Sequence, residues 1–360
     1  MSWLRSWASR TLLPWTRAKT VLSAAVVTVA AAGVAAGLVL IPSSAAPVAR
    51  KHKPKPAPVA QPVVVQRPRH HQLLSPFTGE PVKSLQRVLA VKIDNIVYAR
   101  PQTGINDADI VYVLPVEGGL TRFMAIFSSH IPPVIGPVRS ARRDDLQLLG
   151  QFGRPAFAFS GAQGQLLPVV EKAADVVDLY AGIVGGYYRN YSRVAPYNLY
   201  ASTRVLLSEA KGASKARNIG FKFGPPPAGG HVTRSLTVTY PATRFDFTWS
   251  ASKHRWLVTM DGVPARTAAG VRFSPATVVI QHTVVRKSGF LEYGVAPPFA
   301  VSTGRGTATV LRNGKVYQAR WSRPNWLKGT TFTTLSGKPM TFAPGQVWIL
   351  LTGNRAVEAG

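Results

Sequence analysis

The chain has 360 residues, with 43 Lys and Arg against 15 Asp and Glu, 29 prolines, 31 glycines and no cysteine. That length allows about two domains with a substantial core. The lack of cysteine excludes disulfides, thiolate zinc sites, a cysteine nucleophile and a lipid-carrying cysteine, and a hydrophobic fraction of 46% excludes wholesale disorder.

The net charge of +28 is unevenly spread. Residues 1–74 hold ten Lys and Arg and no acid, residues 75–226 hold 17 basic and 11 acidic side chains, and residues 227–360 hold 16 and 4. Two basic regions therefore flank a more balanced one, a pattern that concentrates polyanions by long-range steering.

In chain order, residues 1–19 read as a basic, cytoplasmic N-terminus. Thr20 to Ile41 form 22 uncharged positions preceded by Arg5, Arg10, Arg17 and Lys19. As a helix this run would be roughly 33 Å long, enough for the hydrocarbon core of a bilayer. The basic flank predicts export of everything after it. It reads as a single-pass anchor; the alternative is a signal peptide cut near Ser43-Ser44-Ala45-Ala46, which would leave a secreted protein. Residues 42–74 are interrupted by seven prolines and carry basic side chains, so they read as an extended spacer.

From Ser75 the pattern is globular. Val88–Asp94, Ile110–Val116 and Thr121–Ser128 are β-branched runs of strand type, the last two separated by a Glu117-Gly118-Gly119 turn. Helical spacing is predicted over Ala141–Phe152, Gln165–Ala174 and Ser202–Ala216, the last with Val205, Leu206 and Ala210 inward, and a strand over Pro155–Ser160. Phe223–Gly230, rich in proline and glycine, marks a boundary. Beyond it strands predominate: a hairpin over Arg244–Met260, a long strand over Ala276–Arg286, a hairpin turning at Asn313-Gly314, and strands at Thr330–Thr334 and Gln346–Thr352. The expected class is α+β, with a mixed α/β domain over 75–226 and a β-rich domain over 227–360.

Metal and nucleophile motifs are weak. No two of the seven histidines stand at helical ligand spacing, and Asp107, Asp109, Asp144 and Asp145 read as caps or ion-pair partners rather than cation ligands. Ser160-Gly161 lacks the glycine two residues before the serine, and Ser208-x-x-Lys211 lacks its companion motif. No cofactor and no metal are expected. Asp94, Glu117 and Asp144, each near an element end, are the carboxylates that glycan chemistry would use. Two clusters stand out. One is Arg139, Arg142 and Arg143 around a helix start. The other places Tyr187, Tyr188, Tyr191, Tyr197 and Tyr200 among Arg189, Arg193 and Asn198, a mixture suited to polymer or sugar binding or to inward packing.

Ser75-Pro76-Phe77-Thr78-Gly79, Val91-Lys92-Ile93-Asp94-Asn95, Ala99-Arg100-Pro101-Gln102-Thr103-Gly104, Glu117-Gly118-Gly119-Leu120-Thr121-Arg122-Phe123, Gly136-Pro137-Val138-Arg139-Ser140-Ala141-Arg142 and Ala195-Pro196-Tyr197-Asn198-Leu199-Tyr200 carry a resemblance. With Asn313-Gly314-Lys315 and Pro344-Gly345-Gln346-Val347-Trp348, they make the sequence similar to the YerB-like family over nearly everything after Ser75. The resemblance implies an exported bacterial two-domain protein, often a lipoprotein, of unassigned function. The sequence departs from the lipoprotein pattern in lacking cysteine, and it has Val113 where the family commonly has an acid after the tyrosine.

The expected function is non-enzymatic: a membrane-tethered envelope module binding an anionic or carbohydrate polymer, a membrane surface or a protein partner. The alternative is an enzyme acting on envelope glycan. Nucleic acid is not expected as a ligand, because export separates the protein from it. At least three of Arg100, Arg122, Arg139 and Arg142 are expected to line one cleft with Asp94, Asn95 and Glu117, closed in part by Tyr197 and Asn198. The rival expectation is a purely structural ion-pair network.

Overall fold

A computed structural model describes residues 72–291, 294–353 and 357–359. The Thr20–Ile41 run and the spacer up to residue 71 lie outside the described residues. No helix among the described residues is long and apolar enough to cross a membrane.

Three strands form the centre: β1 (Leu89–Asp94), β2 (Ile110–Pro115) and β3 (Thr121–Phe127), each buried along its whole length. Such continuous burial needs cover on both faces, and the side chains alternate accordingly. Val111, Val113, Phe123 and Ala125 enter one core, while Ile110, Tyr112, Met124 and Ile126 enter another. The first core is closed by a second sheet, through Leu236, Val238, Phe245, Phe247, Trp256 and Val258. The opposite core is closed by Leu148 and Leu149 of helix α1 (Arg143–Leu149), with Leu166 and Val170.

The large sheet has eleven strands and mixes directions. β3 lies between β1 and β2, antiparallel to both, and β1 runs parallel to Ala156–Phe159. β2 pairs in parallel with Val347–Thr352, which pairs in parallel with Thr277–His282. Strands from both halves of the chain thus share one sheet, joined along the pair of β2 and Val347–Thr352.

The fold is two-domain and mostly β, with helices shorter than expected. The described helices all fall in the first half, where strands nonetheless outweigh them. Among the described residues three α-helices occur, at Arg143–Leu149, Leu167–Glu171 and Thr203–Glu209. The last ends at Ala210, whose ψ of 43° leaves the helical range, and Val205, expected inward, is exposed. The expected long strand over Ala276–Arg286 is interrupted: Thr277–His282 pairs with Gly304–Arg312, whereas Val285–Lys287 changes partner to Pro298–Ala300. The Asn313-Gly314 hairpin forms as the sequence predicts, with φ of 50° and 70° at its two turn residues.

Candidate functional site

The C-terminal ends of β1 and β2 open into a cleft of about 560 Å³. β1 contributes Asp94, β3 contributes Arg122 directly across the strand pair, and the turn after β2 contributes Glu117. Arg139 arrives on a segment stitched to β1: its N–H donates to the Lys92 carbonyl at 2.8 Å, and the Asp94 N–H donates to the Pro137 carbonyl at 3.0 Å. Arg142 immediately precedes α1, where its own N–H donates to Asp145 Oδ2 at 2.6 Å.

Among the described residues, three guanidiniums therefore meet two carboxylates. Arg142 grips Glu117 with both Nε and Nη2, at 2.7 and 2.8 Å, and donates to the Ala141 carbonyl. Arg139 Nε lies 2.9 Å from Asp94 Oδ2, an ion pair without the alignment of a hydrogen bond. Arg122 Nε stands 4.0 Å from Asp94 Oδ1 and has no hydrogen-bond partner among the described residues; its Nη1 donates to the Ser140 carbonyl.

Burial, then the neighbouring charge of Arg142, pushes the Arg122 guanidinium down to about 10, with Asp94 opposing and Arg139 adding to the fall. Burial alone would raise the Glu117 carboxyl, but the hydrogen bonds and charge of Arg142 outweigh it and hold Glu117 below the usual carboxylate range. Tyr197 lines the cleft, with the Arg139 guanidinium 5.6 Å from its ring centre. Its ring also stacks on Tyr98, centre to centre 5.8 Å, and Tyr98 is 70% exposed.

Of the residues expected at the site, Asp94, Glu117, Arg122, Arg139, Arg142 and Tyr197 come together. The other three do not line this cleft. Arg100 turns away to Asp261 at 2.7 Å and holds the Asn95 carbonyl. Asn95 is buried and bonded to Thr121 and Gln102. Asn198 is also buried, taking a bond from Arg189 and donating to the Arg193 carbonyl. Asp144 lies buried outside the cleft, where it accepts from the Ala300 N–H; burial and then the charge of Asp145 raise its pKa, against the pull of Lys92.

Two further residues, neither of them expected to line the cleft, support the site. Lys92, on β1, forms a fully buried ion pair with Asp145 at 2.6 Å, and Asp145 in turn holds Arg142 in place. Arg193 ties the tyrosine loop to the carbonyls of Tyr98, Arg100 and Pro101 and to the Tyr200 hydroxyl. The tyrosine cluster divides between the two expected roles. Tyr187 and Tyr200 pack inward with bonded hydroxyls, and Tyr197 faces the cleft.

Residues 77–217 match the family described as "Protein of unknown function (DUF3048) N-terminal domain", and residues 236–349 match its C-terminal domain. The chain is 27% identical over 302 residues to "Putative lipoprotein YerB" of Bacillus subtilis (strain 168), covering 77% of this chain and 86% of the relative. The crystal structure of Bacillus subtilis YerB superposes with a TM-score of 0.69 at 22% identity, over 80% of this chain and 100% of that one. That likeness is one of fold.

Proposed function

The chain belongs to the DUF3048 family, and from that premise we propose that it is an extracytoplasmic binding module of the cell envelope whose cleft takes an anionic carbohydrate polymer. A relative named as a lipoprotein supports the envelope location. In a chain without cysteine, the Thr20–Ile41 run is the proposed anchor. The observation that carries the ligand class is the cationic character of the cleft, where among the described residues three guanidiniums face two carboxylates and the Nε atoms of Arg122 and Arg139 make no hydrogen bond.

Guanidinium groups in such a setting grip carboxylate or phosphate oxygens, and a desolvated site strengthens each bond. The stacked rings of Tyr197 and Tyr98 offer an apolar face beside the charges, suited to the C–H face of a sugar ring. Acid–base work on glycan would call for a carboxyl in the cleft with a raised pKa. Glu117 is instead held ionised by Arg142, and the acids whose pKa burial raises, Asp109 and Asp144 among them, lie outside the cleft.

The test is retention of the full-length chain on purified wall glycan before and after chemical removal of its anionic groups. Retention that depends on those groups, and that falls with added salt, is the expected result. Equal retention on stripped glycan would overturn the ligand class. The anchor is tested by alkaline carbonate washing of membranes: the chain should stay in the pellet, and a soluble form beginning at Ala46 or Pro47 would reject the anchor.

A further inference from the structure

The cationic cleft is not isolated. Val116, Glu117, Gly118 and Val295 also wall a second cavity of about 730 Å³, within the usual size range of small-molecule sites. Its lining is mainly apolar, from Pro241, Val285, Ala296 and Pro298, with Arg286 and Lys287 at its side. The apolar surface is open to water: Val285 is 37% exposed and Val295 60%. A groove of this kind, continuous with a charged site, marks a place where apolar area awaits a partner.

We infer that the ligand is an amphiphile: an anionic saccharide head in the arginine cleft, with an apolar chain attached to it lying in the adjoining groove. The inference rests on the binding reading above and extends it from a polymer segment to a lipid-linked form. Two features favour an attached chain over a protein segment. The two cavities share one wall, so head and tail subsites are contiguous. The groove also offers apolar contact between Pro241 and Val285, with Arg286 and Lys287 at its side to meet further anionic groups of the head.

Equilibrium dialysis of the full-length chain against dodecyl phosphate, dodecyl maltoside and inorganic phosphate, each below any micelle-forming concentration, tests this. Dodecyl phosphate should bind at least about tenfold more tightly than either of the others, since both subsites are filled only by it. Thr239, exposed on the Ser235–Tyr240 strand and lining the groove, is the place to obstruct the tail. Thr239→Trp should weaken dodecyl phosphate by about tenfold and leave inorganic phosphate unchanged. Val285→Gln, at a half-exposed groove position, should act in the same direction.

Dodecyl phosphate no tighter than inorganic phosphate, or insensitive to both variants, would overturn the tail subsite while leaving the anion cleft standing. Equal binding of dodecyl phosphate and dodecyl maltoside would reduce the groove to non-specific apolar contact and overturn the inference. Self-association that Thr239→Trp abolishes, without amphiphile binding, would assign the groove to a second copy. Failure of every anion to bind would remove the cleft reading as well.

Discussion

Arg139 and Arg142 line the same cleft, yet the structure separates what their removal should do. The Arg142 side chain is 3% exposed and makes two bonds to Glu117, itself 22% exposed. Arg142→Ala leaves a half-buried carboxylate without its counter-charge. Breaking a buried pair costs about 3–5 kcal/mol, and the water that reaches Glu117 puts this case near the lower end, about 3 kcal/mol. Arg139 is 24% exposed, and its partner Asp94 keeps the Asn95 N–H at 2.9 Å and Arg122 at 4.0 Å. Arg139→Ala should therefore cost only about 1 kcal/mol. At roughly 2 °C per kcal/mol for a unit of this size, Tm should fall by about 6 °C for Arg142→Ala and about 2 °C for Arg139→Ala. Retention on anionic wall glycan should follow a different order. Loss of one charge-assisted bond to a ligand is worth about 1.5–3 kcal/mol, so Arg139→Ala should weaken retention at least about tenfold while remaining folded. Differential scanning calorimetry and glycan retention, run on the same preparations, read the two effects. Equal drops in Tm for the two variants, with retention unchanged in Arg139→Ala, would refute the reasoning and make the arginines scaffold.

Lys92→Met should be among the most damaging single changes, because it strands Asp145 beside Asp144 with both buried. Urea unfolding at neutral pH should show a loss of about 3–5 kcal/mol, with much of it restored by adding Asp145→Asn. Asp109, whose carboxylate accepts from the Ser129 N–H, is pushed up from 3.8 to about 6 by burial, against the bonds from Ser129 and Ser128. The folded chain thus holds this proton more tightly than the unfolded one. The stability it contributes is complete below pH 3.8 and is lost as pH rises through about 6. Relative to the parent, Asp109→Asn should gain about 3 kcal/mol between those limits; a constant difference across the range would reject the shift. Gly314→Ala places a Cβ 2.8 Å from Trp249 Nε1 at a φ of 70°, and should lower stability by about 1–2 kcal/mol in thermal unfolding.

Much of the strand framework was legible in the chain itself. β1, β2 and β3 are apolar, β-branched runs bounded by turn residues, and Asn313-Gly314 adopts the positive φ values that its residue types favour. Such signals are local, so they survive without knowledge of the partner strands. Tyr187–Arg189, Leu199–Ser202 and Ser235–Tyr240 went unread, the first two being only three and four residues long and the last alternating with exposed threonine. The helices ended early because periodicity marks an apolar face but does not say where the chain must turn back.

The arginine blocks were visible as well, but the choice among them was not. Arg122, Arg139 and Arg142 enter the cleft because β1, β3 and the segment before α1 converge there; Arg100, equally prominent in sequence, is drawn to Asp261. Lys92 hid inside an apolar strand, and its partner Asp145 lies 53 positions away. Sequence by itself determined which residues could form strands, turns and ion pairs, because those tendencies reside in backbone sterics and side-chain chemistry. Tertiary structure decided which charge meets which, because a charge withdrawn from water must find a counter-charge in space, whatever its distance along the chain.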